Sequence, residues 1–430
     1  MSVPFTGKRF AVVGLGRAGL PAARRLREFG ASVVVWDDSQ ASRDVAAAEG
    51  FDVSRASETV GRFHALVLSP GIAHNLPKPH PEAVWAQVNG VPILTDAELL
   101  YQAVRTLGSR ARFVGITGTN GKSTTTALLA HMLTKADIPN AAGANLGPAA
   151  LALPILPDDG VYVLEMSSYM LERLVSLRFD AAAMLNLSSD HLDRHGDMAG
   201  YVAAKREIFA RQGDGCTAVI GMDDEDSRAM AAWLHSTSVR VVEVSGKGHE
   251  TGAEGLRGEH NAQNAQAAAA LARALGVPEA AIAEAIRTFP GLAHRAQQVA
   301  MRDGVRFIND SKATNADATS RAMSVFRHFV WIAGGVAKAG GIDELAPFFS
   351  RVEKAFLIGQ DGEAFARRLR EAGVANDYVG TLEVAVPAAF EVARNGCGIV
   401  LFSPAAASFD QFLNFEARGE RFAALAKGGA

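Results

Sequence analysis

Apolar positions occur along this chain in two arrangements: short continuous runs, and longer stretches in which they recur at helical spacing. Strands that alternate with helices in this way predict parallel α/β units. The runs interpreted as strands are RFAVVG, SVVVWD, HALVLSPG and VPILT, then ARFVGITG, VYVLEM, DAAAMLNL and TAVIGMDD, then VRFIND, FVWIAGG, KAFLIG and GIVLFSPAAAS. The three groups predict an α/β fold of three domains, over 1–100, 101–290 and 291–430, with a closing helix from Asp410.

Composition indicates an ordinary globular enzyme. The chain has 430 residues, 48% hydrophobic and 21% charged, and its net charge of −3 gives no basic field for a nucleic acid or an anionic membrane. Two cysteines cannot build a disulfide framework, and no apolar run reaches the ~20 residues of a membrane helix. The N-terminus lacks the apolar core of a signal peptide. We therefore expect a cytoplasmic monomer without nucleic-acid or membrane partners.

A first glycine loop follows the first strand. Gly14, Gly16 and Gly19 fit G-x-G-x-x-G between a strand and a helix, and Asp37 ends the next strand, where a dinucleotide fold places its ribose acid. The loop predicts a Rossmann-like domain that holds a nucleotide phosphate on a helix N-terminus. A glycine turn that only packs strand against helix stays an alternative, and the loop alone does not select a nicotinamide cofactor.

A second loop, GTNGKST, begins at Gly118 and leads directly into a helix. Only Thr119 and Asn120 separate Gly118 from Gly121, fewer residues than in a standard P-loop. Lys122 nevertheless stands where its ammonium bridges outer phosphates, with two hydroxyl residues after it, Ser123 and Thr124, to serve Mg²⁺. A polar helix start capped by Asn120 or Ser123 does not explain a lysine in that position, so the loop predicts an ATP site on a central parallel sheet.

Polar residues suited to Mg²⁺ follow the next strands. Glu165 ends a strand, at the edge where parallel sheets place ligands, and Asp190, His191 and Asp193 follow the next one. In isolation His191 would be a loop or capping residue. Lys205 lies on a helix whose apolar neighbours could bury it, although a lone helical lysine usually faces solvent.

The wording TGTNGKST resembles the ATP loop of the Mur ligase superfamily, which includes folylpolyglutamate synthase. The resemblance implies ATP-dependent joining of a carboxylate to an amine, with two Mg²⁺ ions held through Ser123, Glu165, His191 and a carbamylated Lys205. By the same resemblance Asn145 lies near the substrate and Asn264 faces the adenine. Arg295 and Asp310, in GLAHR and NDSKATN, match residues for the ATP phosphates and ribose; a capped helix start at Asp310 or Ser311 is the alternative.

Further matches over essentially the whole chain indicate the D-glutamate-adding branch of these ligases, which implies a C-terminal Rossmann-like domain. In that branch the first domain binds the uridine diphosphate of UDP-N-acetylmuramoyl-L-alanine rather than NAD. The residues that match its substrate loops are Gly16, Arg17, Asp37, Ser69, Pro70, Gly71 and Asn145. The residues that match its glutamate pocket are Lys312, Thr314, Lys338, Ser408, Phe409 and Phe415. Met170 departs from the usual glutamine, which puts one polar substrate contact in doubt.

The resemblance implies that ATP phosphorylates the alanyl carboxylate and that the glutamate amine then displaces phosphate. Three other functions stay open: a folate-type ligase, a NAD(P)-dependent oxidoreductase based on residues 12–37, and a non-catalytic binding protein. The oxidoreductase leaves Lys122, Glu165 and His191 without a role, and the folate-type ligase does not need a nucleotide-binding first domain.

Overall fold

The computed structural model describes residues 3–338 and 340–429. The chain divides into two compact units, Met1–Phe289 and Pro290–Ala430. The first unit contains two parallel sheets, and the second contains one mixed sheet and a short two-stranded ladder. The α/β class predicted from the alternation of apolar runs is confirmed.

The first sheet has strand order β3-β2-β1-β4-β5, and all its pairs are parallel. This order, with β1 in the middle, is that of the first five strands of a Rossmann fold. The elements are β1 (Arg9–Val13), α1 (Gly19–Glu28), β2 (Ser32–Trp36), α2 (Gln40–Ala48), β3 (Asp52–Val53), a 3₁₀ turn (Ala56–Glu58), β4 (Ala65–Leu68), α3 (Pro81–Val88), β5 (Ile93–Leu94) and α4 (Asp96–Thr106).

The second sheet has order β11-β10-β9-β6-β8-β7, again all parallel. The strands beside β6 are buried along their whole length, as strands covered by helices on both faces must be. The strands and short turns are β6 (Arg112–Thr117), β7 (Asn140–Ala144), β8 (Val161–Glu165), β9 (Ala181–Met184), β10 (Thr217–Gly221), β11 (Arg240–Val244) and 3₁₀ turns Ala150–Ala152 and Glu254–Leu256. The helices are α5 (Lys122–Lys135), α6 (Ser168–Leu171), α7 (Leu192–His195), α8 (Met198–Arg206), α9 (Glu225–Leu234), α10 (Glu259–Ala274) and α11 (Glu279–Thr288).

Helix α4 joins the two sheets of the first unit. The carboxylate of Asp96 accepts the backbone N–H of Ala150 at 2.6 Å, and buried Glu98 accepts those of Val175 and Leu177 at 3.1 and 2.9 Å. The predicted boundary at residue 100 therefore falls inside a continuous helix. The first turn of this helix is hydrogen-bonded to residues between 150 and 177, beyond the predicted boundary. Three domains remain a prediction, since the chain forms two compact units.

The sheet of the second unit has order β12-β13-β18-β14-β16-β17, with β12 antiparallel and the other pairs parallel. A separate antiparallel ladder joins β15 to β19. The elements are β12 (Gln297–Arg302), β13 (Val305–Asn309), α12 (Ala316–Val325), β14 (Phe329–Gly334), β15 (Val336–Ala337), a 3₁₀ helix (Asp343–Arg351), β16 (Val352–Ile358), α13 (Gly362–Glu371), β17 (Asn376–Gly380), α14 (Leu382–Arg394), β18 (Ile399–Phe402), β19 (Ala406–Ala407) and α15 (Phe415–Ala426).

The predicted start of the closing helix in this unit was wrong. The closing helix begins at Phe415 rather than Asp410, because Asn414 caps it by accepting the N–H of Ala417 at 2.8 Å. Asn315 likewise caps α12, so neither Asp310 nor Ser311 does. No helix in the described ranges is long and apolar enough to cross a bilayer.

Candidate active site

The GTNGKST loop connects β6 to α5, and its glycines have backbone conformations that side chains disfavour. Gly118 has φ +147° and Gly121 has φ +86°. The loop curls around the ammonium of Lys122, whose Nζ donates to the carbonyls of Gly118 at 2.9 Å and Thr119 at 2.8 Å. The loop thus brings a cation to the N-terminus of a 14-residue helix, an arrangement that favours bound phosphate.

Side chains from the loop after β9 and from α8 support the rest of the GTNGKST loop, the predicted ATP loop. Asn186 accepts the N–H of Asn120 at 2.9 Å and donates to its carbonyl at 3.1 Å. The hydroxyl of Thr119 lies 3.1 Å from that of Tyr201 and accepts the N–H of Ser188 at 3.0 Å. Gly121 occupies the N-cap position without a side-chain cap, so capping by Asn120 or Ser123 does not account for the loop. Ser123 is buried, and Thr124 is partly exposed at the start of the helix.

Asn264 packs directly against the ATP loop. A Cβ at Gly121 would lie 2.2 Å from Asn264 Oδ1, so glycine is required there for space as well as for φ. Asn264 also donates to Asn261, which lies three residues earlier on the same face of α10, at 3.1 Å. The first unit therefore brings the candidate adenine residue next to the candidate phosphate loop.

Glu165 is the residue best suited to hold a divalent cation. It is buried at the end of β8, and Oε1 accepts the Asn145 side chain at 2.6 Å. No described residue is in a hydrogen-bonding position for Oε2. A buried carboxylate oxygen without a donor is costly unless a ligand satisfies it, so Glu165 fits a Mg²⁺ ligand.

Lys205 does not face solvent, because it is 2% exposed on α8, among buried Tyr201, Ile208 and Phe209. Its Nζ donates to the Gly118 carbonyl at 2.9 Å and to Thr117 Oγ1 at 3.3 Å. Burial, together with the nearby charge of Lys122, holds the pKa of Lys205 well below its ordinary value. The lysine is therefore predisposed to be a neutral amine beside the ATP loop.

His191 lies in the loop after β9, with φ +54°. Its Nε2 is 3.4 Å from Asp190 Oδ2, and its ring packs against Tyr169 at 5.0 Å between centroids. Asp193 is exposed in the first turn of α7. Across the described residues, no three His, Cys, Asp or Glu side chains converge as a preformed metal site. Mg²⁺ commonly takes only one or two carboxylates and completes its shell with waters and substrate phosphates, so Glu165 still fits.

The first glycine loop is shaped by Asp37 and Ser69. The Asp37 carboxylate accepts the backbone N–H groups of Leu15 at 2.6 Å and Ser39 at 2.8 Å, and Ser69 Oγ donates to the Gly14 carbonyl at 2.9 Å. A Cβ at Gly19 would lie 1.8 Å from the Gly14 carbonyl oxygen, so α1 can approach the loop only with glycine there.

The structure brings the first loop to the central sheet. The Arg17 guanidinium donates to the carbonyls of Gly147 at 2.9 Å and Asn145 at 3.3 Å. Since Asn145 also donates to Glu165, a continuous set of contacts runs from the first glycine loop to the candidate Mg²⁺ ligand.

Sequence reasoning missed two arginines that hold the loop containing Ser69, Pro70 and Gly71. Buried Arg173 donates to the carbonyls of Leu68 at 2.8 Å and Ile72 at 2.7 Å. Arg194 donates to the carbonyl of Gly71 at 3.0 Å. The signal available was a pair of arginines near the Glu165 and His191 motifs, but sequence spacing does not show their distant partners.

Met170 is 1% exposed and belongs to the hydrophobic core of the first unit. It therefore fills the core at the position where a glutamine was expected to contact substrate.

In the second unit, Asp310 is buried at the end of β13. It accepts Ser403 Oγ at 2.6 Å and the N–H of Ala296 at 3.0 Å. Burial raises the pKa of Asp310 to about 7, although these hydrogen bonds and the charge of Arg295 oppose the shift. Arg295 therefore lies close enough to Asp310 to act on its charge, as their joint assignment to ATP requires.

Lys312 and Phe415 are adjacent, with Lys312 Nζ 3.9 Å from the Phe415 ring centroid. The Phe415 carbonyl accepts Ser311 Oγ at 2.8 Å, and buried Arg418 donates to the Ser311 carbonyl at 2.9 Å. The NDSKATN loop, in which Thr314 is partly exposed, is thus attached to the start of α15. Arg418 is a supporting residue that the sequence did not single out.

Lys338 and Ser408 follow the two strands of the β15–β19 ladder. Because the ladder pairs Val336 with Ala407 in antiparallel register, Lys338 and Ser408 leave it at opposite ends. Lys338 is exposed beside a cleft of about 490 Å³ that Asp361 and Arg368 also line. Ser408 is buried six residues before Asn414 rather than at the helix start, and Phe409 is 75% exposed.

Comparisons with known proteins agree with this arrangement. The Mur ligase middle domain matches residues 116–255, the Mur ligase glutamate ligase domain matches 294–406, and the NADPH-binding domain of acetohydroxy acid isomeroreductase matches 4–75. Among solved structures, the chain resembles UDP-N-acetylmuramate-alanine ligase MurC from Thermotoga maritima, with TM-score 0.59 and 19% identity over 98% of this chain and 99% of that one. It also resembles MurF from Acinetobacter baumannii, with TM-score 0.58 and 17% identity over 99% and 91%. These likenesses establish the fold.

Relatives of higher identity establish the family. The chain is 47% identical to the UDP-N-acetylmuramoylalanine–D-glutamate ligase of Caulobacter vibrioides, over 99% of this chain and 96% of the relative. It is 46% identical to the enzyme of that name from Paramagnetospirillum magneticum, over 99% and 98%, and 44% identical to that of Rhodospirillum rubrum, over 98% and 94%. With near-complete coverage on both sides, the chain belongs to the UDP-N-acetylmuramoylalanine–D-glutamate ligase family of Mur ligases.

Proposed function

We propose that this chain is the ATP-dependent ligase that adds D-glutamate to UDP-N-acetylmuramoyl-L-alanine in peptidoglycan precursor synthesis, in the cytoplasm. Membership of the family supports the reaction. The structural observation that supports it most is the convergence at the Gly118 carbonyl, which accepts both Lys122 and Lys205 beside a glycine loop. An oxidoreductase would need neither lysine.

The ATP end of the reaction is assigned to the loop Gly118–Thr124, with Asn264 at the adenine and with Arg295 and Asp310 at the phosphates and ribose. The Lys122 ammonium neutralises charge on the phosphoryl group as it passes to the alanyl carboxylate. Mg²⁺ supplies further neutralisation of that charge when bound. Glu165, through its unpartnered Oε2, and His191 would hold it, with Ser123 at the helix start.

A carbamate on Lys205 would add an anionic ligand, and with it a second Mg²⁺ ion. The neutral amine attacks CO₂ and releases one proton, which converts a neutral side chain into an anionic carbamate. Burial and the neighbouring Lys122 favour the neutral amine that this reaction needs.

The nucleotide of the second substrate is assigned to Gly16, Arg17, Asp37, the loop Ser69–Gly71 and Asn145. Gly16 is exposed, and a Cβ there would meet no atom within 4 Å, which leaves room for a diphosphate against the backbone. Asp37 would act mainly by holding the loop through the N–H groups of Leu15 and Ser39.

Glutamate is assigned to the second unit. Lys338, exposed beside its cleft, offers a cation to one carboxylate, and Lys312 and Thr314 lie on the loop attached to Phe415. The N-terminus of α15 favours the other carboxylate, together with Ser408 and Phe409. The glutamate amine then attacks the acyl phosphate, an amide forms, and phosphate leaves.

One coupled assay tests the proposal. ADP release should require both UDP-N-acetylmuramoyl-L-alanine and D-glutamate, with no change in nicotinamide absorbance when NADPH is added. Lys122→Ala should nearly abolish turnover while calorimetric titration shows unchanged affinity for the UDP substrate. ADP release without dependence on D-glutamate, or a Lys122→Ala variant with near-normal turnover, would overturn the assignment.

A further inference from the structure

Three polar side chains outside the predicted site form a compact group in the first unit. The ring of His195 is 1% exposed and places Nε2 2.9 Å from Ser168 Oγ. Its Nδ1 lies 2.8 Å from Glu172 Oε1, within ion-pair distance although not aligned for a hydrogen bond. Ser168 begins the short helix α6 and Glu172 follows its last residue, whereas His195 ends the turn that begins at His191.

The order carboxylate, histidine, serine is that of serine hydrolases. Ser168, however, is 2% exposed, so a substrate cannot reach its hydroxyl. The group therefore acts within the protein, by fixing the position of the turn that ends at His195.

The turn that ends at His195 presents the candidate metal ligand, His191. The backbone N–H groups of Arg194 and His195 both donate to the His191 carbonyl, at 3.0 and 3.3 Å. The Tyr169 ring also contacts both imidazoles: it lies 5.0 Å from the His191 ring and stacks on the His195 ring at 5.6 Å with an interplanar angle of 20°. Holding the His195 ring thus fixes the far end of the turn that presents His191.

The same group reaches the candidate UDP-substrate loop. Glu172 Oε2 lies 3.9 Å from His74 Nε2, and Arg173 donates to His74 Nδ1 at 3.3 Å. Arg173 also donates to the Ile72 carbonyl, as reported above. Arg194, next to His195, packs on the Tyr169 ring at 4.2 Å while it donates to Gly71.

A third contact leads to the ATP loop. The His195 and Tyr201 rings are 5.5 Å apart, and the Tyr201 hydroxyl lies 3.1 Å from that of Thr119. His195 therefore stands between the ATP loop, the His191 turn and the loop of Ser69–His74.

We propose that His195, held by Ser168 and Glu172, is a positioning residue that orients His191 for metal binding and ties that orientation to the UDP-substrate loop. The inference rests on the proposed function for the identity of the metal site. Residues that orient a metal ligand typically change metal affinity by about 10- to 100-fold when removed. A side chain that only stabilised the fold would lower the melting temperature without changing metal affinity in the folded protein.

The test measures Mn²⁺ affinity by electron paramagnetic resonance in the presence of a non-hydrolysable ATP analogue. His195→Phe keeps an aromatic ring against Tyr169 but removes both nitrogen contacts, and should weaken Mn²⁺ binding about 10-fold or more. Ser168→Ala should also weaken Mn²⁺ binding, but by less than His195→Phe does. The matched control is His131→Phe, which removes one partly buried histidine contact, to Thr288 at 3.1 Å, and should leave Mn²⁺ affinity unchanged.

The outcomes separate this proposal from the proposed function. Mn²⁺ affinity of His195→Phe within twofold of wild type would overturn it, as would a wild type that binds no Mn²⁺ with the analogue. If His195→Phe does not fold, a Mn²⁺ affinity of Ser168→Ala within twofold of wild type would overturn the proposal instead. A wild type that binds Mn²⁺ but shows no D-glutamate-dependent ADP release would refute the ligase function. The change in Mn²⁺ affinity of His195→Phe would still test the role of His195. Calorimetry should also show weaker UDP-substrate binding for His195→Phe; unchanged binding would overturn the link to that loop.

Discussion

Replacing Gly121 by alanine should weaken ATP binding through two separable effects. Gly121 has φ +86°, and a left-handed conformation costs an alanine roughly 1–2 kcal/mol. The new Cβ would stand 2.2 Å from Asn264 Oδ1, so Asn264 must move and lose its 3.1 Å hydrogen bond to Asn261, at a further cost of roughly 0.5–1.5 kcal/mol. Together about 1.5–3.5 kcal/mol opposes the binding-competent loop, which corresponds to roughly 10- to 300-fold in affinity.

The assay is calorimetric titration with a non-hydrolysable ATP analogue, repeated with UDP-N-acetylmuramoyl-L-alanine. Gly108→Ala is the matched control, because Gly108 has φ +78° but a Cβ there meets no atom within 4 Å. Gly108→Ala should lose stability by the same strain and leave ATP affinity unchanged, and neither variant should lose UDP-substrate affinity. If both variants bind the ATP analogue within threefold of each other, Asn264 does not support the ATP loop and the reasoning fails.

Gly16→Val should leave the melting temperature nearly unchanged, because the position is open, yet raise the KM for the UDP substrate about tenfold or more, or about 1.4 kcal/mol; an unchanged KM would remove Gly16 from the substrate site. Lys205→Ala should lose about 100-fold or more in turnover and recover part of it with added acetate, which replaces carbamate oxygens; full turnover without acetate would exclude the carbamate. Lys338→Ala should raise the KM for D-glutamate about tenfold or more, and that for ATP little; a glutamate KM within twofold of wild type would place the pocket elsewhere. Burial raises the pKa of Asp310 from 3.8 to about 7, so this carboxyl contributes stability fully below about pH 4 and loses it as pH rises through 7. The free energy of unfolding, measured in urea, should therefore rise for Asp310→Asn relative to wild type by up to about 4 kcal/mol between pH 4 and pH 8. A difference between the two proteins that does not depend on pH would contradict the pKa shift.

The central strands could be predicted from sequence because they are buried on both faces and read as continuous apolar runs, as VYVLE does for β8. The strands that were not predicted lie at sheet edges or are very short. Strand β17 reads NDYVG and β12 reads QQVAMR, and neither shows an apolar run, because one side of each faces solvent. Two-residue strands such as β3 have no periodicity to detect.

Candidate site residues could be proposed from sequence where polar side chains are concentrated in a local motif. Lys122, Glu165 and His191 each stand in or just after a strand-end loop, where parallel sheets place ligands. Arg173 and His195 were not predictable, since what distinguishes them is a partner far away in sequence: Arg173 contacts Leu68, 105 positions earlier. Only the folded topology of the first unit brings such pairs together.

Lys205 shows why burial, rather than spacing, decides a role. On a helix its spacing is equally compatible with a solvated face, but the fold places its Nζ on the same carbonyl that Lys122 uses. Two ammonium groups at one buried carbonyl repel each other, and the more deeply buried one yields its proton first. Burial and the charge of Lys122 both lower the pKa of Lys205, which favours its neutral form. The proposed carbamylation of Lys205 would turn this side chain into an anion, and would therefore replace the repulsion between the two ammonium groups by attraction.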